Sequence, residues 1–179
     1  MRLLGIALGF ALLIQLSPAF ADSTSDANTF SDRSITFTAP DGWTNLHAPK
    51  PDSTENTTPV AMFVKTFNKY DTRAIQIAVK DYSGSLDGFE ADHEKELRKD
   101  SDSAFIRKAK VTLSNGMPAY WLKVTQGADA GSYVALYQYV VIDLKRGITV
   151  TYVGKQGFFD EKDAQTSLSQ LAVVAYPER

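Results

Sequence analysis

The chain of 179 residues has no cysteine. No disulfide can form, no thiolate can serve as nucleophile or ligand, and the cysteine that a bacterial lipoprotein anchor requires is missing. Histidine is nearly as scarce. His47 and His93 are the two in the chain, which excludes a three-histidine zinc site when no cysteine can substitute. An excess of charge is missing too: 19 basic and 21 acidic residues leave a formal net charge of −2, with no global attraction for nucleic acid or anionic lipid. Beyond residue 21 there is no second long apolar run. The longest candidate, Val134 to Leu144, is interrupted by Gln138 and Asp143 and falls short of the ~20 residues a spanning helix needs. Gly-x-Ser-x-Gly, Ser-x-x-Lys, Gly-x-Gly-x-x-Gly and Gly-Lys-Ser/Thr strings are absent, so the familiar serine nucleophiles and phosphate cradles have no carrier.

What is present begins with an address. Arg2 precedes an apolar run from Leu3 to Leu16, followed by Ser17-Pro18 and the small-x-small triplet Ala19-Phe20-Ala21. This is the order of a secretory signal peptide, with cleavage expected between Ala21 and Asp22. Loss of Arg2 leaves 18 basic and 21 acidic residues, a charge of −3, in a mature chain of 158 residues (179 minus 21). That length suits one domain and can bury a sizeable core without staples. Residues 22–33 are polar and read as a flexible leader; residues 34–179 read as a single α+β domain.

Along that domain, Ser34 to Ala39 alternates as a strand, Pro40-Asp41-Gly42 supplies a turn, and Trp43 follows as a large apolar plug. Ala48 to Pro59 is a proline-bearing loop. Val60 to Phe67, a run consistent with burial on both faces, and Ala74 to Lys80 make a hairpin across Asn68 to Arg73. A helix is expected from about Gly88 to Lys99, with Asp87 as N-cap, Glu90 three residues on, and Leu86, Phe89, His93 and Leu97 on one face. Glu94 and Arg98 sit i, i+4 in the favourable order. Four strands follow: Phe105 to Leu113, Ala119 to Thr125 across the Asn115-Gly116 turn, Tyr133 to Leu144, and Ile148 to Val153 after a turn at Lys145-Arg146-Gly147. A second helix opens at Asp160, carries Ala164, Leu168, Leu171 and Ala175 as its stripe, and ends at Pro177. Short turns favour antiparallel pairing, so the expected fold is α+β: a central antiparallel sheet of about six to seven strands with two amphipathic helices.

The stretch Ile35-Thr36-Phe37-Thr38-Ala39-Pro40-Asp41-Gly42-Trp43, an apolar strand running into Pro-x-Gly-Trp, resembles the start of the PsbP-like superfamily, which includes the DcrB-like proteins. The element order extends the likeness over roughly Ser34 to Tyr176. The resemblance implies a PsbP-like sandwich and an accessory, assembly or binding role. It carries over no functional residue; Pro40, Gly42 and Trp43 come across as a structural corner. The signal peptide argues against that family's branch of cytosolic chaperones.

The remaining candidates each have a plainer reading. Glu90 and His93 spell Glu-x-x-His on the expected helix, but one copy makes no di-iron site, and His93 falls on the apolar stripe as a packing residue. Asp100-Ser101-Asp102 lacks the other ligands of a calcium loop. Lys108 and Lys110 share a strand face opposite Arg107, with Lys123 on the partner strand. They suit edge protection, or a small anionic docking patch. Tyr133, Tyr137 and Tyr139 share one face of the long strand, as a core boundary or the lining of a ligand cleft. Asn56-Thr57-Thr58 is a glycosylation sequon that matters only in a eukaryotic secretory route.

The chain therefore reads as an exported, soluble, non-enzymatic accessory or binding protein of the cell envelope or extracellular space, with the periplasm as its place and secretion as the alternative. Its expected partner is a protein or small ligand of that compartment. No nucleic acid, stable membrane insertion, cofactor or metal is expected. The competing reading is a small-molecule or lipid carrier with a pocket between sheet and helix. A hydrolase has nothing behind it but abundant Asp and Glu.

Overall fold

A computed structural model describes residues 28–32, 34–46, 58–99, 102–127, 132–142 and 145–173. It holds a seven-stranded sheet, a three-stranded sheet and two helices. The strands are β1 (Thr29–Ser31), β2 (Ile35–Thr38), β3 (Thr44–Leu46), β4 (Thr58–Asn68), β5 (Asp71–Asp81), β6 (Ser103–Thr112), β7 (Pro118–Gln126), β8 (Tyr133–Ile142), β9 (Arg146–Lys155) and β10 (Leu171–Val173). The helices are α1 (Leu86–Leu97) and α2 (Glu161–Leu168). The large sheet runs β3-β4-β5-β9-β8-β7-β6 with every neighbour antiparallel; the small one runs β1-β2-β10, also antiparallel. The α+β architecture expected from the sequence is what forms.

The two faces of the large sheet follow from the period-2 alternation of its strands. Ile75, Ile77, Leu136, Val140, Ile148, Val150 and Tyr152 point to one face, where Ile35, Phe37, Ala164, Leu168 and Leu171 of β2, α2 and β10 cover them. Leu122, Val124, Ala135, Tyr137, Tyr139 and Val153 point to the other, under Phe89 and Leu97 of α1. Central strands β8 and β9 are thus buried on both faces. Gln138 interrupts the apolar run of β8 at no cost in pairing. Its Nε2 donates to the Leu168 carbonyl at 3.0 Å and its Oε1 accepts from Trp121 Nε1 at 2.9 Å, so a fully buried amide closes the C-terminal end of α2.

Several local readings change. The N-cap of α1 is Ser85, whose Oγ accepts from Gly88 N–H, and Asp87 lies in the first turn, where it pairs with Lys110. The second helix is shorter than its apolar stripe suggested. It closes at Ser169, and Leu171 leaves it to pair with Phe37 in β10; Ala175 and Pro177 lie outside the described residues. A three-residue strand satisfies its backbone on β2 while still burying Leu171. The polar stretch read as a leader contributes Thr29–Ser31 to β1, and Asp32 takes the backbone N–H groups of Ser34 and Ile35 and the guanidinium of Arg146. Burial opposes ionisation of Asp32, but these donors win and hold its carboxyl down at about 2.

Gly147 is not a turn residue. It lies in β9 opposite Val141, and the left-handed turn position is Lys145, at φ 57°. A Cβ on Gly147 would meet the Phe89 ring at 2.3 Å, so the missing side chain is the seat of the α1 anchor.

Candidate functional site

Two slips of register decide which apolar side chains reach the surface. Between Thr66 and Asn68 the β4–β5 ladder takes one extra residue, Phe67; between Phe105 and Arg107 the β6–β7 ladder takes Ile106. An extra residue in one strand breaks the alternation that would otherwise carry it inward. Phe67 is accordingly 44% exposed and Ile106 54%, although both sit in apolar-looking strand sequence. The reading of Val60 to Phe67 as buried on both faces holds for Ala61 to Phe63 and fails at Phe67.

Of the four exposed large hydrophobics among the described residues, three lie at one end of the sheet. The pairing of Ala74 with Val153 brings the β4–β5 turn, carrying Tyr70 (63% exposed), level with the turn after β9, carrying Phe158 (39% exposed). Cations line the same end. Lys65 Nζ lies 5.0 Å from the Phe67 ring centre, Lys69 Nζ 4.7 Å from that of Tyr70, and the Arg73 guanidinium 4.0 Å from Phe67. Lys65 also donates to the carbonyl of Asp41 at 2.9 Å. That ties the tip to the Pro40–Gly42 turn, where Trp43 N–H reaches back to Pro40 and the Trp43 ring packs edge-on against Tyr152 at 5.8 Å.

Behind the tip lies a buried ionic network. Arg73 donates from Nε and Nη2 to the two carboxylate oxygens of Asp71, at 3.1 and 2.9 Å, and from Nη1 to Tyr152 Oη at 3.1 Å and Asp163 Oδ2 at 3.0 Å. Tyr152 in turn donates to Asp163. The bidentate pair with Asp71 holds the guanidinium charged against its burial. Burial first, and the bond to Asp163 second, push the Tyr152 hydroxyl up. Sequence reasoning missed this network. By sequence Asp71 and Arg73 belong to a hairpin turn, and the residues that complete the set lie far along the chain in β9 and α2.

The residues singled out from sequence are placed as follows. Lys108 reaches Glu90 at 3.0 Å and Glu94 at 2.9 Å, and Lys110 reaches Asp87 at 2.9 Å, so both lysines are met by carboxylates of α1. Lys108 first, then Arg98, draws the Glu94 carboxyl down to about 2. Glu90, buried against the sheet, is pushed up by desolvation, which Lys108 opposes. On the opposite face Lys123 and Arg107 both reach Glu161 of α2. Tyr137 and Tyr139 stack at 6.0 Å between ring centres, both buried beneath α1. His93 packs on Tyr139 and Phe89 with Nδ1 3.0 Å from the Phe89 carbonyl, and desolvation lowers its pKa. His47, Ala21, Asp22, Asp100, Ser101, Asn56 and Thr57 lie outside the described residues. Among the described residues no group of His, Asp and Glu is arranged to hold a metal, and no helix is long and apolar enough to cross a membrane.

Rings thus occupy the contact between α1 and the sheet. Under α2 a hollow of about 60 Å³ is lined by Arg107, Trp121, Lys123, Glu161 and Gln165 among others. This is well below the ~300–1,000 Å³ of small-molecule sites. A larger recess of about 320 Å³, lined by Thr58, Val79, Lys80, Asp81 and Arg146, lies at the opposite end from the aromatic tip and not between sheet and helix.

No family model matches the chain, and no curated protein matches it by sequence. Solved structures do. LpqN of Mycobacterium tuberculosis, described as involved in cell envelope biogenesis, superposes with a TM-score of 0.57 at 14% identity over 81% of this chain and 87% of that one. PA94 of Pseudomonas aeruginosa, a protein of unknown function, superposes at 0.51 with 9% identity over 84% of this chain and 97% of that one. Neither is a PsbP or DcrB protein by name; at these identities the likeness is one of fold, the α/β sandwich.

Proposed function

We propose that the protein is an exported, non-enzymatic binding protein of the cell envelope, acting through the aromatic end formed by Phe67, Tyr70 and Phe158. The observation that carries the reading is the gathering of these side chains at one end, while Arg73, Lys108 and Lys123 are spent on ion pairs with α1 and α2 within the fold. Exposed apolar side chains clustered among polar ones mark interaction sites. The signal-peptide pattern of residues 1–21 supports the compartment.

A photo-crosslinking residue placed at Tyr70 tests it in cells. A discrete adduct, with protein or lipid, is expected from position 70 and not from Asn115 at the opposite end. Equal labelling from both positions, or none from either, removes the proposal.

A further inference from the structure

The binding reading leaves open what the aromatic end touches, and the inference that follows rests on that reading. We propose that the end bearing Phe67, Tyr70 and Phe158 with Lys65, Lys69 and Lys155 docks on the anionic headgroup surface of a phospholipid membrane.

Four observations converge. Aromatic side chains and lysines settle at a membrane–water boundary, tyrosine at headgroup depth, phenylalanine at the acyl boundary just below it and ammonium groups toward phosphate. Here the rings and cations are not merely neighbours: Lys65 and Lys69 already sit over the faces of Phe67 and Tyr70. The tip also carries its own backbone satisfaction, since Tyr70 N–H donates to Asn68 Oδ1 at 2.8 Å and closes the turn. A tip that approached the lipid with unpaired donors would be penalised.

Charge complementarity is the third observation. Net charge over the whole chain is slightly negative, yet among the described residues Lys65, Lys69 and Lys155 form no ion pair, while several carboxylates of this end are engaged. Asp71 is held by Arg73, Asp163 by Arg73 and Tyr152, Asp160 by the first N–H groups of α2, and Glu161 by Lys123 and Arg107. Asp41 is exposed there, and the chain turn that bears it is tied to Lys65. The last is shape. Protein partners are anchored where a side chain fills a well-packed pocket. Tyr70 and Phe158 stand on turns and Phe67 at the end of β4, and neither the hollow under α2 nor the larger recess lies among them. Exposed rings and lysines on strand ends and turns fit a fluid anionic surface. Binding of this kind combines two weak signals and is reversible.

Sedimentation with vesicles tests it, using phosphatidylcholine alone and phosphatidylcholine mixed equally with phosphatidylglycerol. Every variant carries the same N-terminal segment, so that segment cancels. The unmodified chain is expected to sediment with the mixed vesicles, less with phosphatidylcholine alone, and less as salt rises. Each of K65Q, K69Q and K155Q is expected to weaken partition about fivefold, the equivalent of about 1 kcal/mol per cation near the surface. Y70A is expected to weaken it in both low and high salt, because it removes apolar contact and not charge. Lys69 and Tyr70 are exposed turn residues, so K69Q and Y70A keep the native urea midpoint and report binding alone. No sedimentation of the unmodified chain with mixed vesicles, or equal sedimentation of K69Q and Y70A with it, overturns the proposal. A protein adduct from position 70 without vesicle affinity would overturn the lipid assignment and leave the binding role standing; the failure of both experiments would remove both.

Discussion

Beneath α2 the hydroxyl of Tyr152 accepts from Arg73 and donates to Asp163, whereas beneath α1 the hydroxyl of Tyr139, equally out of reach of solvent, has no hydrogen-bond partner among the described residues. The same contrast runs through the ionic groups. Arg73 joins β5, β9 and α2 through buried, nearly saturated bonds. Lys108 and Lys110 join β6 to α1 at the half-exposed rim, and one oxygen of Glu90 has no partner among the described residues. On one face buried ionic groups join three elements with their bonds met. On the other the ion pairs stay at the rim, rings fill the interior, and the Tyr139 hydroxyl and that Glu90 oxygen are buried with no partner among the described residues. The lesson is that a buried polar group stabilises a layer when its bonds are met.

The largest test of this contrast is Arg73→Met. Removing the guanidinium strands the buried carboxylate of Asp71, and urea unfolding is expected to show a loss of about 3–5 kcal/mol. Adding Asp71→Asn should return part of it; no recovery would mean the arginine acts by packing alone. Next, Gly147→Ala drives a methyl into the Phe89 ring and is expected to cost about 1–3 kcal/mol. Phe89→Leu in the same chain should soften that loss, and Gly157→Ala, where nothing lies within 4 Å, should change stability by less than about 0.5 kcal/mol.

A smaller effect sharpens the comparison directly. Tyr152→Phe should lower stability by about 1 kcal/mol, the net worth of a satisfied hydrogen bond. Tyr139→Phe removes a hydroxyl that bonds nothing and should leave stability unchanged or raise it. Equal losses from the two would erase the distinction between the faces. The smallest effect concerns pH. Desolvation lowers the pKa of His93 from its ordinary 6.5, so the unfolded chain binds the proton first, and the stability His93 withholds from protonation is lost as pH falls below that value. The urea midpoint should therefore decline from pH 7 toward pH 5 less steeply in His93→Gln than in the unmodified chain.

Element types and their order were legible because they rest on local period. Ala74 to Lys80 alternates without interruption and is the core of β5; Leu86, Phe89, His93 and Leu97 recur at helical spacing and form the inner face of α1. Legibility ended where a bond from a distant residue outweighed local pattern. Ser85 takes the cap position of α1, and Asp87 falls in the first turn, where it meets Lys110 of the next strand. Pairing with β2 takes Leu171 out of a helical stripe. Phe67 reads as part of a strand buried on both faces and is turned outward where the ladder takes an extra residue that no periodicity reveals. Of the candidate site, Lys69 and Tyr70 read as part of a hairpin turn and Lys65 as part of a strand, but nothing in their neighbourhood announces that Phe158 stands level with them.

By itself the sequence determined the architecture: alternation and helical stripes settle which faces must be buried, and burial of those faces admits an antiparallel sheet covered on both sides. Its first residues also set the expectation of export. The tertiary structure decided the rest. It chose which of the two helix faces is locked by ions, since Asp71, Arg73, Tyr152 and Asp163 meet only after β5, β9 and α2 have packed. It also decided where aromatic side chains remain outside, since that depends on register between strands. Hydrophobic period is a property of neighbours along the chain; register and ionic networks are properties of neighbours across it.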